Sequence, residues 1–378
     1  MDFEYTEEQR LLRESLDRVL GDSYGFDKRK AYLAEPEGFS AAMWAQYAEL
    51  GLLGLPFAEK HGGFGGGPVD VMIVMEALGR VIALEPYLAT VVLAGTALKL
   101  AASAAQQEAL IPQIADGSLR LAVAHGERQA RYDLADVVTT ATKTGSGWRL
   151  DGAKSVVVHG DSADRLIVSA RVSGDRHDPA GIGLFLVDPN TGGVARRAYP
   201  MRDGTHAADI AFSGVEIAAG DALGDPEQGL AVIERVNQAG IAATSAEAVG
   251  AMETMLKMTV EYLKTRVQFG RPIGDNQALQ HRATEMMIAM EQGRSLAMLA
   301  AVMIDDENAA QRDRDLSTAK VGVGQAARFV SQNAVQLHGG IGMTEEYAVG
   351  HYFRRCMVIE HGFGDTGYHL SRLANELK

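Results

Sequence analysis

Apolar residues change their spacing twice along this chain of 378 residues, and that order constrains the fold more than any other feature. In the first third they recur at helical intervals: Leu11, Leu12, Leu16, Val19 and Leu20, then across Phe39–Leu53, Val69–Ile82 and Ala89–Ala101. Thr6-Glu7-Glu8-Gln9 opens the first of these runs with a polar cap and a Gln three residues on, the form of a capping box. Near Leu119 the pattern breaks into short β-rich runs: Val137–Thr142, Trp148–Leu150, Ser155–Val158, Leu166–Ala170, Gly183–Val187 and Asp209–Phe212. Asp151-Gly152 between two of them reads as a hairpin turn. From about Glu227 helical spacing returns, through Met252, Met255, Leu256, Thr259, Tyr262 and Leu263, then Met286–Met303 and Ala319–Leu337, with the methionines expected in the core. The expected architecture is α+β, with a helical domain over residues 1–118, an antiparallel β-domain over 119–224 and a second helical domain over 225–378.

Composition narrows the function classes. Net charge is −13, which disfavours binding to a phosphate backbone and so to nucleic acid. One cysteine, Cys356, excludes an internal disulfide framework. No apolar run reaches the length of a membrane span, and the acidic start Met1-Asp2-Phe3-Glu4 lacks the features of a signal peptide. The expectation is a cytoplasmic protein. No metal is expected: one Cys builds no thiolate site, and His338, His351, His361 and His369 share no ligand spacing. The run His61-Gly62-Gly63-Phe64-Gly65-Gly66-Gly67 has no strand before it and reads as a flexible helix-to-helix connection rather than a phosphate loop.

Two segments carry more. Arg266-Val267-Gln268-Phe269-Gly270-Arg271-Pro272-Ile273 ends one helix and leads to Asn276-Gln277-Ala278-Leu279-Gln280-His281. Gln336-Leu337-His338-Gly339-Gly340-Ile341-Gly342 ends another, with glycines that let backbone N–H groups approach a pyrophosphate. An Arg is a fitting partner for such a charge. Each segment taken singly also reads as an ordinary helix C-cap.

Taken together with the helical–β–helical order, these segments resemble the acyl-CoA dehydrogenase family of flavoproteins. The resemblance spans the whole chain, from Phe3-x-x-Thr6-x-Glu8-Gln9 and Pro56-x-x-x-x-x-Gly62-Gly63 to Arg266-x-x-Phe269-Gly270 and Gln336-x-x-Gly339-Gly340-x-Gly342. It implies a C-terminal four-helix bundle, dimers and tetramers, and FAD lying across a subunit interface. Arg266, Phe269, Gln336, Gly339 and Gly340, joined by Gln277 and His281, would then contact the adenosine diphosphate half of an FAD bound mainly by a neighbouring subunit. The implied reaction is removal of the α-proton of an acyl-CoA thioester by a carboxylate, with transfer of a hydride from the β-carbon to the flavin. An electron-transfer flavoprotein would take the electrons.

The sequence departs from the family where the chemistry would sit. The usual base is a Glu in Tyr-Glu-Gly-Thr, but here the stretch is Gly362-Phe363-Gly364-Asp365-Thr366, leaving Asp365 as the nearest carboxylate. Other family members place the base on the helix opening the last domain. There Glu247 is the only charged residue from Val236 to Met252, two helical turns beyond Gly240, the family's alternative position. Glu247 resembles the Glu of bacterial members acting on bulky acyl-CoAs such as steroid side chains. It could serve as the base, turn to solvent or pair with a neighbouring Arg. The family's flavin-facing loop aligns with Ala124–Asp133 without its Pro, Gly and Ser, and Val156-Val157-Val158-His159-Gly160 lacks the aromatic ring and hydroxyl expected there. The chain therefore keeps the FAD contacts it would provide to a neighbour and lacks several it would use itself. That asymmetry points to a heterotetramer with a paralogous subunit as the alternative to a homo-oligomer. Such a subunit would either act on acyl-CoA in fatty acid or steroid side-chain β-oxidation or complete a flavin site without chemistry of its own. An oxidase or monooxygenase on the same fold is the further alternative.

Overall fold

The computed structural model describes residues 5–376, so the acidic start Met1-Asp2-Phe3-Glu4 lies outside the described residues. Helices α1 (Glu7–Ser23), α2 (Phe26–Leu33), α3 (Ala41–Glu49) and α4 (Pro68–Val81) come first. A π-helical stretch, Leu88–Ala94, runs directly into α5 (Gly95–Ala101), and α6 (Ala104–Ala115) follows. The middle of the chain is β1 (Leu121–Ala124), β2 (Thr140–Lys143), β3 (Gly147–Val158), β4 (Arg165–Arg171), β5 (Ile182–Val187), β6 (Val194–Pro200), β7 (His206–Ala218) and β8 (Ala222–Leu223). Then come the long helix α7 (Gly229–Thr265), a hairpin of β9 (Val267–Gln268) and β10 (Arg271–Pro272), and helices α8 (Gln277–Met303), α9 (Ala309–His338), α10 (Ala348–His361) and α11 (Thr366–Glu376). The helical–β–helical order is as expected. Among the described residues no helix is long and apolar enough to cross a membrane.

The chain divides into two compact units, one built from the residues up to Ala31, Gly67–Ala83 and Ile241 onward, the other from Tyr32–Gly66 and Leu84–Gly240. In the first, α1 begins with the expected capping box. The Gln9 N–H donates to Thr6 Oγ1 at 3.2 Å and the Thr6 N–H donates to Gln9 Oε1 at 3.1 Å. The core of this unit joins Met252 and Met255 of α7 to Met286 and Met290 of α8 and Val323, Ala327 and Val330 of α9, so the methionine stripe is core. Helices α4 and α7 cross with their backbones in contact. A Cβ on Gly79 would fall 2.0 Å from the Glu247 carbonyl oxygen, and one on Gly250 would fall 2.0 Å from that of Glu76. Any larger residue at either glycine forces the helices apart. Beside the crossing, the buried Glu76 carboxylate accepts from Arg80 at 2.7 Å and Arg294 at 2.5 Å, tying α4 to α8.

The second unit contains the sheet, in the order β6-β7-β3-β2-β4-β5-β8 with β1 added beside β4. Most pairings are antiparallel, as expected, but β1–β4 and β2–β4 are parallel, so the sheet is mixed. Asp151-Gly152 is not a hairpin turn: it lies inside one continuous strand, β3, which runs where two strands were expected. Gly152 sits at a register break in the β3–β7 ladder, where a Cβ would fall 2.6 Å from Thr139 Cα, so the glycine serves a bulge and a close backbone approach. The glycine run after His61 does connect two helices, but it is not slack. The Gly63, Phe64, Gly65 and Gly66 N–H groups donate to the carbonyls of Ala58, Gly54, Phe57 and Leu55. A Cβ on Gly63 would lie 2.1 Å from the Phe57 oxygen, which is why the run is glycine-rich.

Candidate functional site

The end of α7, the start of α8 and the end of α9 lie together in the helical unit. Tyr262 of α7 stacks on His338 of α9 with ring centroids 4.5 Å apart, and Tyr347 packs against both rings, 5.0 Å from His338 and 6.4 Å from Tyr262. The His338 Nδ1–H donates to the Ala334 carbonyl at 2.7 Å, which holds the imidazole in the stack at the helix terminus. Beyond Tyr262, Phe269 and Gly270 form a two-residue turn between β9 and β10 with φ of 53° and 80°. Both values are positive, as a type I′ hairpin turn requires. An aromatic residue tolerates that conformation only with strain, yet Phe269 is 102% exposed and covers nothing among the described residues.

The polar residues around this turn are equally uncommitted. Among the described residues, the side chains of Arg266, Gln277, His281 and Gln336 have no hydrogen-bond or ion-pair partner, and all are exposed. Gly339, at φ 63°, and Gly340 have nothing within 4 Å of where a Cβ would be. One end of the bundle therefore combines a free cation, three free polar groups, an exposed aromatic ring and an open glycine backbone. That set suits an anionic, planar ligand such as a dinucleotide: Arg for the pyrophosphate, open backbone for close approach, an aromatic face for a ring. The residues present fit the adenosine diphosphate half of FAD.

The two candidate bases lie elsewhere and share no hydrogen bond or ion pair with each other. Glu247 faces inward from the middle of α7 and is 3% exposed. Its two oxygens accept from Arg355 of α10, Oε1 from Nε at 2.6 Å and Oε2 from Nη2 at 2.7 Å. This fork-to-fork geometry neutralises the carboxylate and occupies both of its oxygens. Next to Arg355, burial and then the Glu247 charge push the Cys356 thiol up to about 12, so it is inert. Asp365 precedes α11, where Oδ1 accepts from the Tyr368 N–H at 2.8 Å as a helix cap. The preceding Gly364 has φ 98°, and a Cβ there would lie 2.5 Å from His369 Nε2, so no larger side chain fits without displacing the His369 ring.

The loop after β1 holds a cluster that no sequence pattern revealed. Lys154 of β3 is 0% exposed and its Nζ donates to Glu127 Oε1 at 2.6 Å, Ser169 Oγ at 3.0 Å and the His125 carbonyl at 3.1 Å. Glu127 also accepts from the Val138 and Thr139 N–H groups, so one carboxylate anchors the segment leading into β2. Burial pushes Lys154 down to about 8 against the opposing pull of Glu127. Burial alone would raise Glu127, but the Lys154 charge and hydrogen bonds hold it at about 2. The signal for this pair was only a Lys in a β run and a Glu in a loop, 27 positions apart. Arg355 was likewise missed as the partner of Glu247. Its one trace is a charge in an otherwise apolar stripe of α10, since Val349, Tyr352, Cys356 and Ile359 are all buried.

Comparisons with known proteins agree with the fold. Three family models match in succession: the acyl-CoA dehydrogenase N-terminal domain over residues 6–118, the middle domain over 122–215 and the C-terminal domain over 227–378. Among curated relatives, the acyl-CoA dehydrogenase FadE27 of Mycobacterium tuberculosis is 28% identical, with 100% of this chain and 99% of the relative covered. Among solved structures, a single-residue variant of the Tcur3481-Tcur3483 steroid ACAD is 30% identical with a TM-score of 0.87, covering 98% of both chains. The ChsE4-ChsE5 complex from Mycobacterium tuberculosis is 28% identical with a TM-score of 0.88, covering 100% of this chain and 99% of the other.

Proposed function

Because this chain belongs to the acyl-CoA dehydrogenase family, FAD-dependent oxidoreductases that act on acyl-CoA, we propose that it works as one subunit of a heteromeric acyl-CoA dehydrogenase and completes the FAD site of a paralogous partner. The observation that carries this reading is the exposed end of α7–α9, where the side chains of Arg266, Gln277, His281 and Gln336 have no partner among the described residues and Phe269 is fully exposed. Those residues, with Gly339 and Gly340, would hold the adenosine diphosphate half of the cofactor. When bound, FAD supplies the hydride acceptor. This chain's contribution is to hold the pyrophosphate charge with Arg266, to cover a ring with Phe269 and to exclude water there. Two solved relatives are named as two-protein assemblies, Tcur3481-Tcur3483 and ChsE4-ChsE5, which supports a heterotetramer. The first of them is also named as a steroid enzyme, which supports a bulky acyl-CoA such as a steroid side chain as substrate of the assembly. In this reading residues 1–118, 119–224 and 225–378 are the working domains, the location is cytoplasmic, and an electron-transfer flavoprotein takes the electrons.

The base in this reading belongs to the partner, since Glu247 is engaged at both oxygens and Asp365 caps α11. A second reading keeps Glu247 as the base. Its favouring observation is the buried setting of a lone carboxylate among the small residues of α7, and it requires Arg355 to release one oxygen. One set of variants tests both, made in this chain and co-expressed with the partner. Arg266→Ala and Phe269→Ala are expected to lower the FAD content of the assembly while leaving this chain folded. Retention of full FAD by both variants contradicts the proposal. Replacing Glu247 and Arg355 together by Leu keeps turnover if the partner holds the base, and abolishes it if Glu247 does.

A further inference from the structure

We propose that Arg354 and His351 of α10 are positioning residues: through Glu345 they hold the Gly339–Gly340 backbone in the shape this chain offers to the FAD of its partner; this rests on the reading of the chain as a subunit that completes a neighbour's cofactor site. Glycines that leave a backbone open to a ligand also leave it without side chains to fix it. The residues that follow them do the fixing. Thr344 donates twice to the Ile341 carbonyl, from its N–H at 3.1 Å and from Oγ1 at 3.0 Å. Gly342 is buried against α9, where a Cβ would lie 3.0 Å from the Val335 oxygen. Helix α10 passes so close that a Cβ on Gly350 would lie 3.0 Å from the Gly342 oxygen.

Glu345 is then gripped at both its side chain and its backbone. Arg354 forks onto the carboxylate, Nη1 to Oε1 at 2.5 Å and Nη2 to Oε2 at 2.9 Å. His351, on the same face of α10, places Nε2 3.2 Å from the Glu345 carbonyl oxygen and 3.3 Å from Oε2. Both oxygens only accept, so the ring proton sits on Nε2 and is donated to them. Phe26 of α2 meets the imidazole edge-on at 4.9 Å and fixes its plane. The Arg354 hydrogen bonds, with its charge, hold the Glu345 carboxyl below its ordinary range, so it stays ionised. Burial pushes His351 down, assisted by the Arg354 and Arg29 charges against the pull of Glu345, so the ring is neutral at pH 7. Tyr347, just beyond the clamp, packs on His338, the residue before Gly339. The Glu345 side chain is 68% exposed, and a pair so exposed contributes little to stability. A fork does fix direction, and a backbone ordered beforehand loses less freedom when a ligand docks on it.

The test is a double-mutant cycle on the co-expressed assembly, reading FAD affinity, melting temperature and amide hydrogen exchange over residues 339–347. Glu345→Gln and Arg354→Ala are each expected to weaken FAD binding roughly three- to tenfold, the cost of ordering a loop at the moment of docking. The two together are expected to lose no more than either alone, because the pair acts as a unit. Melting temperatures are expected to stay within about 3 °C of wild type, while exchange over 339–347 speeds up. His351→Ala is expected to speed the same exchange, and His351→Gln, which keeps an N–H donor, to restore it. Full FAD affinity in both single variants overturns the proposal. Additive losses in the double variant also overturn it, since each side chain would then touch the cofactor or the partner directly. A large fall in melting temperature with exchange raised throughout α10 makes the pair structural and overturns it too. Arg266→Ala, run alongside, separates the clamp from the reading beneath it. If Arg266→Ala loses FAD and the clamp variants keep it, the clamp alone fails. If the wild-type assembly takes up no FAD, or Arg266→Ala retains it in full, the subunit reading fails and this inference with it.

Discussion

The middle and the end of α7 make opposite use of charge. Glu247, in the middle, is buried and held at both oxygens by Arg355, while Arg266, just past the last turn, is exposed with no partner among the described residues. A buried charge must be paired within the fold, because desolvation leaves it no other way to be tolerated. An exposed charge beside an open glycine backbone and a fully exposed Phe269 has a partner still to meet. In the proposed reading this chain commits Glu247 to structure and keeps the unpaired groups at the end of α7 for a partner subunit. A subunit that completes a neighbour's cofactor site has that distribution.

The largest effect is expected at the buried pair. Glu247→Leu removes the buried carboxylate that accepts two hydrogen bonds from the Arg355 guanidinium and is expected to cost about 3–5 kcal/mol of unfolding free energy in denaturant titrations. Replacing both residues by Leu is expected to recover most of that loss, because the pair as a unit contributes little net stability. If Glu247→Leu leaves stability unchanged, the pair does not anchor α7 to α10. At the other end of the helix, Arg266→Ala is expected to weaken FAD retention by the assembly about 10- to 100-fold, the effect of losing a charge-assisted hydrogen bond, with no shift in melting temperature. A fall in stability without loss of flavin would reverse the roles assigned to the two ends.

Acid titration extends the contrast to the β-rich unit. His125 has a folded-state pKa of about 3 against 6.5 unfolded, so its contribution is complete above 6.5 and is lost as pH falls toward 3. Glu127 is held at about 2 against 4.5, so its contribution is lost between those values. Stability of the β-rich unit is therefore expected to decline from pH 6.5 downward, and His125→Gln is expected to flatten the part between 6.5 and 4.5. An unchanged acid limb in His125→Gln contradicts that assignment. The smallest effect is at the start of α1, where Thr6→Ala removes the capping oxygen for Gln9 N–H and is expected to cost about 1 kcal/mol by thermal unfolding.

What was legible in the sequence was local. The capping box at Thr6, the helical stripes and the buried methionines follow from residues three or four apart, and the structure has them. The isolated charge of Glu247 in α7 was visible too. Its partner was not, because Arg355 lies 108 positions away and no periodicity links the two. The Lys154–Glu127–Ser169–His125 cluster was hidden for the same reason, since its members meet only once β3 and β4 are laid beside the loop after β1. Asp151-Gly152 misled because a glycine that relieves a close approach to Thr139 looks, in sequence, like one that makes a turn.

If the free groups at the end of α7–α9 complete a cofactor site in another subunit, flavin content must depend on that subunit. This can be checked by purifying the chain alone and together with a co-expressed paralogous subunit, and recording the visible absorbance and solution mass of each. The expected outcome is a chain that alone holds little flavin and an assembly that carries FAD and loses it on Arg266→Ala. A yellow homo-oligomer of this chain alone, with FAD at one per subunit, would contradict it.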